Sequence, residues 1–465
     1  MRTPAWVTLA VTIAVCLAIN LNAQDWPQFG GNVESTSANP AAGITAAQMK
    51  QLQRRQVPLD GTVDASAIYL HGVTVKGSRH KTLFLTTTYG KTIAVDADSG
   101  AVLWEYTPSS YGQLAGTRQI TNSTPAADGS RDAIYAATPD GEIHKLAMAD
   151  GHEIWHTSIT KLAHREKMDS PLKVFRGHVI AVTAGYIGDA PPYQGHVAIL
   201  DSANGKLLHV WNSLCSDRVG LLEPSACPES DSAIWGRAGA VIDPATGNIF
   251  VATGNARWDG KTYWGDAVIE LNPDATKMLG NYTPENTEQL NDEDIDVGST
   301  SPVLLGGGLL AQGGKDRKIR LLSIAAMAGT SPHRGHELQE VPTPSGDRLF
   351  TQPAVWRHNG QTWLFAADGG GTAAWTLESG KLQPRWKNTT AGTSPLVADG
   401  MVYVYDPQGG LNVYEASSGQ HLTTLECGAG HWNSPIVVDG KIILPEGNAN
   451  RRQTSGVLDI WSLKK

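Results

Sequence analysis

At 465 residues, with 41% apolar and 18% charged side chains, the chain has room for several ordinary domains and the composition of a globular protein. Fifty Gly and 25 Pro against six Phe point to an all-β, turn-rich fold. A formal net charge of −8 provides no electrostatic footprint for nucleic acid or an anionic membrane surface.

In chain order, residues 1–23 read as a secretory leader. Arg2 supplies the positive region, residues 7–21 the apolar core, and Leu21-Asn22-Ala23 a small-residue cleavage site. The apolar run is short for a bilayer span, an uncleaved anchor being the alternative, and Cys16 counts as part of the leader. This places the mature protein in the periplasm or outside the cell. Residues 24–465 read as one domain. They open on Asp25-Trp26-Pro27-Gln28-Phe29-Gly30, followed by a polar stretch and a short helical candidate near 46–55.

From residue 61 one phrase recurs at intervals of about 40–50 residues, the period of propeller blades. It runs from a Ser-Pro or Thr-Pro through a short strand, a Gly turn and two apolar strands to an Asp-Gly or Ser-Gly turn closing on Trp. One copy spans Thr124-Pro125 to Trp155, and later copies open at Ser170-Pro171, Ser301-Pro302, Gln352-Pro353, Ser394-Pro395 and Ser434-Pro435. Modules near 61–106, 123–157, 170–212, 235–282, 299–326, 350–387, 393–426 and 433–464 predict an eight-bladed β-propeller of four-stranded blades. The Trp26 segment is expected to complete the last blade and close the ring, which removes exposed sheet edges. Trp104, Trp155, Trp211, Trp386 and Trp461 fall at equivalent points and are expected to fill the gaps between sheets. Cys215 and Cys227 bracket an insertion and are candidate disulfide partners, leaving Cys427, although three cysteines allow three pairs.

The phrase endings "ADSGAVLWEY", "ADGHEIWHT" and "SANGKLLHVW", and the opening "DWPQFGGN", resemble the tryptophan-docking repeats of pyrroloquinoline quinone (PQQ) β-propellers. That superfamily holds quinoprotein alcohol dehydrogenases and also PQQ-free scaffolds, such as the lipoprotein of the outer-membrane assembly machinery. Two segments resemble the dehydrogenases. Ile234-Trp235-Gly236, followed by Thr253-Gly254-Asn255, is similar to the stretch that supplies the indole floor under PQQ and an Asn ligand of the metal. The resemblance implies that Trp235 stacks on the quinone and Asn255 binds Ca²⁺. A flat ring needs a flat aromatic surface, and Ca²⁺ takes amide and carboxylate oxygens. The alternative makes Trp235 blade packing and residues 253–255 a plain strand end and turn.

The second segment is Asp292-Glu293-Asp294-Ile295-Asp296, followed by Gly313-Gly314-Lys315-Asp316. By resemblance Asp294 is the general base and a metal ligand, and Lys315 hydrogen-bonds the quinone oxygens. Four carboxylates in so short a run repel unless a cation neutralises them, whereas the alternative is a solvated acidic loop. An independent Ca²⁺ loop fits poorly, because Gly is misplaced for an EF-hand. The chain departs from the dehydrogenases at three points. It lacks their adjacent cysteine pair; where their glutamate metal ligand falls, 185–194 offers only Asp189; and no CxxCH haem motif or cytochrome tail is present, so electrons need a separate acceptor.

No GxSxG or HExxH motif occurs, and residues 306–315 fail the Walker spacing. His333 and His336 read as loop histidines, and His431-Trp432 opens the last repeat within reach of a central funnel. Two functions follow: a PQQ- and Ca²⁺-dependent dehydrogenase of an alcohol or sugar-like substrate, or a cofactor-free scaffold for protein or envelope partners.

Overall fold

The computed structural model describes residues 25–464, so the leader reading over 1–23 lies outside the described residues. The repeats fold into eight four-stranded antiparallel sheets arranged as a propeller. In blade 1 the strands are Ile68–Val75, Ser78–Thr86, Thr92–Asp96 and Val102–Tyr106. Each following blade repeats that order: blade 2 covers 126–158, blade 3 173–212, blade 4 241–282, blade 5 303–342, blade 6 354–388 and blade 7 396–425. The middle strands are buried on both faces, as in Thr92–Asp96 and Ala133–Ala137, because each sheet is covered by a neighbour on either side.

Four of the expected tryptophans explain how neighbouring blades fit. Trp104, Trp155, Trp211 and Trp386 sit on outermost strands. The Trp104 ring lies against Gly151 of the next blade, where an added Cβ would stand 2.5 Å from ring carbon Cε3. Its indole Nε1 donates to the Met148 carbonyl at 3.0 Å. Trp155 over Gly205 and Trp386 over Gly419 repeat the ring-on-glycine contact, and Trp386 also donates from Nε1, to the Ala416 carbonyl at 2.8 Å. These turn glycines are therefore required twice, by a positive φ and by the indole above them. Trp461 differs: it lies on Gly456–Leu463, the third strand of blade 8, opposite Arg54.

Ring closure also departs from expectation. The fourth strand of blade 8 is Leu52–Leu59, paired antiparallel with Gly456–Leu463 over its full length. Residues 46–55 are thus a 3₁₀ turn, Ala46–Gln51, running into a strand. Trp26 instead bridges Tyr69 of blade 1, through backbone hydrogen bonds of 2.8 and 2.9 Å. Ala38–Asn39 adds a short parallel strand to blade 7. Blade 5 runs past residue 326, because its fourth strand is Gln339–Pro342. Cys215 and Cys227 form a disulfide, and Cys427 is free and half-buried.

Candidate active site

The segment entering the first, innermost strand of a blade ends at the centre of the ring. That topology brings Asn122, Lys167, Asp169, Trp235, Asp294, Asp296, Phe350 and Trp432 from six blades into one cavity of about 310 Å³. Asn255 and Lys315 reach it from turns following second strands, and Asp189 from the 186–195 loop of blade 3. All five residues singled out from the sequence therefore line the same cavity. His333 and His336 do not, while His431 does.

Asp296 organises this side of the cavity. Trp235 Nε1 donates to its Oδ2 at 3.0 Å, and the Asn255 backbone N–H to its Oδ1 at 3.3 Å. Lys315 Nζ stands 3.1 Å from Asp296 Oδ2 and 2.8 Å from Asp294 Oδ1, and 5.4 Å from the centroid of the Trp235 ring. The two carboxylates differ in setting, because the Asp294 side chain is 60% exposed and that of Asp296 only 5%. Burial raises the Asp296 carboxyl above the usual range, with Asp294 adding to the rise and Lys315 opposing it. Behind it, burial and then Asp296 hold Asp266 well above the ordinary value. Burial and then Asp189 push Asp231 up to about 6.

Burial is the main reason that Asp296, Asp266 and Asp231 are held above the usual carboxyl range, and neighbouring carboxylates add to it. Asp189, Asn255, Asp294 and Asp296 are on the cavity lining, and carboxylate and amide oxygens are the donor type that Ca²⁺ takes. The rest of the cavity suits a flat anion. Trp235, Phe350 and Trp432 form an aromatic arc with centroids 5.9 and 6.0 Å apart. Lys167, Lys315 and Arg348 supply cations on the wall. Arg237, buried 5.5 Å from the Trp432 centroid, has no protein partner for Nε or Nη2.

Beside Trp432 in this arc stands His431, its ring centroid 4.5 Å away, which the sequence placed within reach of the funnel and whose partner Asp64 it did not show. His431 Nδ1 lies 2.8 Å from Oδ2 of the fully buried Asp64, which also accepts from the backbone of Trp432 and Ala449 and from Asn122. Burial raises the Asp64 carboxyl, but these hydrogen bonds and the His431 charge bring it below the ordinary value. Its signal was faint, a lone Asp in the run entering blade 1.

A family profile described as outer membrane protein assembly factor BamB matches residues 37–218. The quinohemoprotein alcohol dehydrogenase of Comamonas testosteroni is 24% identical over 326 residues, covering 64% of this chain and 43% of the relative. A polyvinylalcohol dehydrogenase of a Pseudomonas species is 24% identical over 277 residues, covering 56% and 40%. The chain thus matches less than half the length of these curated relatives. The crystal structure of the Comamonas testosteroni enzyme superposes with a TM-score of 0.70 at 16% identity, covering 95% of this chain and 80% of that one. BamB from Moraxella catarrhalis gives 0.56 at 12% identity, covering 89% and 98%. These structural likenesses are of fold.

Proposed function

Because the chain is a PQQ-like β-propeller, we propose that it is an exported quinoprotein-type dehydrogenase that oxidises an alcohol or sugar-like hydroxyl group. The observation that carries this reading is the convergence of Trp235, Asn255, Asp294, Asp296 and Lys315 on one central cavity. A protein whose only task is to present rim loops has no physical reason to hold a buried carboxyl, a lysine and an aromatic arc together there.

The Trp235 face, with Phe350 and Trp432 beside it, holds the quinone ring, and Lys167, Lys315 and Arg348 meet its carboxylates. Asn255, Asp294, Asp296 and Asp189 hold the calcium ion. When bound, the quinone supplies a two-electron acceptor and the ion a Lewis acid. Asp294, at the open side of the cavity, takes the substrate hydroxyl proton. Asp296 keeps the Trp235 indole and the Lys315 ammonium in register with it. Electrons leave to a separate acceptor.

Titration of the purified protein with PQQ in the presence of Ca²⁺, followed by absorbance, tests this. Stoichiometric binding is expected, weakened at least tenfold in Trp235→Ala and Asn255→Ala, a loss of about 1.4 kcal/mol. No spectral change at about 50 µM PQQ, where even a modest site gives roughly −6 kcal/mol, would sink the reading. The second reading, a cofactor-free scaffold for protein or envelope partners, would then stand. It is favoured by the match of residues 37–218 to the BamB profile and by the missing cysteine pair and glutamate.

A further inference from the structure

Outside the central cavity, the third and fourth strands of blade 2 bring two histidines together. Glu142–Ala147 and Glu153–Ser158 pair with His144 directly opposite His156, so both imidazoles stand on one face of the sheet. Glu153, at the start of the outer strand, reaches both. Its Oε2 lies 2.9 Å from His144 Nδ1, and its Oε1 lies 2.7 Å from His156 Nδ1. Ligand atoms of the three residues all lie within 4.8 Å of one another. Tyr106, on the outer strand of blade 1, adds a fourth donor: its hydroxyl is 3.1 Å from His144 Nδ1 and hydrogen-bonds Glu153.

The proton inventory of His144 shows what the cluster lacks. On its far side Nε2 lies 3.0 Å from Thr138 Oγ1, and the Thr138 hydroxyl donates to the Asp140 carboxylate. A hydroxyl has one proton to give, so with that proton on Asp140 the ring must donate from Nε2. In the neutral ring Nδ1 then presents its lone pair to the Glu153 carboxylate, acceptor against acceptor, with the single Tyr106 proton between them, and either a second ring proton or a metal ion resolves that contact. Asp140 and Glu142 crowd the same ring, the latter 3.7 Å away, yet among the described residues no Lys or Arg forms an ion pair with Asp140, Glu142 or Glu153.

We propose that His144, Glu153 and His156 form a site for a divalent transition-metal ion, with Tyr106 or water as fourth ligand, tying blade 1 to blade 2. Two imidazoles and a carboxylate suit Zn²⁺ or Cu²⁺ rather than Ca²⁺. The Thr138 contact on Nε2 is the outer hydrogen bond that fixes a ligating imidazole in tautomer and orientation. Zn²⁺ needs its ligand atoms at about 2.0–2.2 Å, which small rotations of the partly exposed His156 and Glu153 side chains provide. The site is independent of the central cavity and shares no residue with it.

The test uses untagged protein, stripped by chelation and returned to saturating Ca²⁺, then titrated with Zn²⁺ alone. One equivalent is expected to bind, with a rise in thermal midpoint of a few degrees. Because His144 is buried, the variants are at the more exposed positions: His156→Ala and Glu153→Gln should lose both effects. With Cu²⁺ in place of Zn²⁺, the electron paramagnetic resonance spectrum should show two coupled nitrogens, a signature absent in His156→Ala. Binding to His156→Ala at unchanged stoichiometry and affinity, or none to wild type at about 100 µM, overturns the site. Asn255→Ala should bind Zn²⁺ as wild type does, which separates this result from that of the PQQ titration.

Discussion

Asp296 is buried and held by an indole, a backbone amide and an ammonium at once. Lys315→Met leaves that carboxylate without its counter-charge and should destabilise the fold by about 3 kcal/mol at neutral pH, read by urea unfolding. Asp296→Asn removes a charge from a crowded acidic group and should be nearly neutral in stability, yet abolish Ca²⁺-dependent PQQ binding. If the two variants lose stability equally, the Lys315–Asp296 pair is not what balances the site. The sequence pointed to the acidic run but chose Asp294, because nothing in Asp-Glu-Asp-Ile-Asp says which carboxylate turns inward. The backbone decides: Asp294 takes a φ of +52°, after which the chain carries Asp296 into the ring and leaves Asp294 at its surface. Phe350 and Asp64 were missed for a related reason. Each is one ordinary residue, and only the topology gathers them.

Between elements, the unit of assembly is an indole resting on a glycine of the next blade. Gly151→Val should cost about 3 kcal/mol or more, because its side chain collides with Trp104 and the backbone is left-handed. Gly177→Ala is the control, since its φ is also positive but nothing lies within 4 Å of the added carbon, and it should cost only about 1 kcal/mol. Equal midpoints in a denaturant series would mean that the indole is not what the glycine serves. This periodicity was legible in the chain because a Trp follows the turn Gly closely in each copy, as in Gly151 and Trp155 or Gly205 and Trp211. The closing strand was not, since Leu52–Leu59 is an edge strand that is polar over Gln53, Arg54, Arg55 and Gln56, following a run of Ala, Gln and Lys that reads as helix. Trp461 was misassigned with it: once Leu52–Leu59 occupies the outer place, the tryptophan falls one strand inward.

For the whole molecule, buried ionisable groups set opposing responses to acid. His196, fully buried and donating from Nε2 to the Ile159 carbonyl, is lowered to about 4 by burial. The unfolded chain therefore binds this proton first, so stability falls as pH drops from 6.5 towards 4, by about 3 kcal/mol. Asp231, raised to about 6, works the other way: the folded state is protonated first, and stability is gained as pH falls through 6. The free-energy difference between wild type and His196→Gln should shrink by about 3 kcal/mol between pH 7 and pH 4, whereas that for Asp231→Asn should move in the opposite sense. Parallel pH profiles for all three proteins would remove both groups from the account.

The strand that closes the ring has a consequence in time. Arg54 hydrogen-bonds Asp459 across 405 positions of sequence, and every contact of that pairing joins an early segment to a late one. Closing so long a loop costs entropy before any of its contacts is made, and a chain dominated by such separations folds slowly. Blades 1 to 7 can each form from neighbours in sequence, but Leu52–Leu59 remains an unpaired template until residues 456–463 arrive. The molecule is therefore most vulnerable to mispairing with another copy during that wait, and a shield over this edge protects more than one over any other strand.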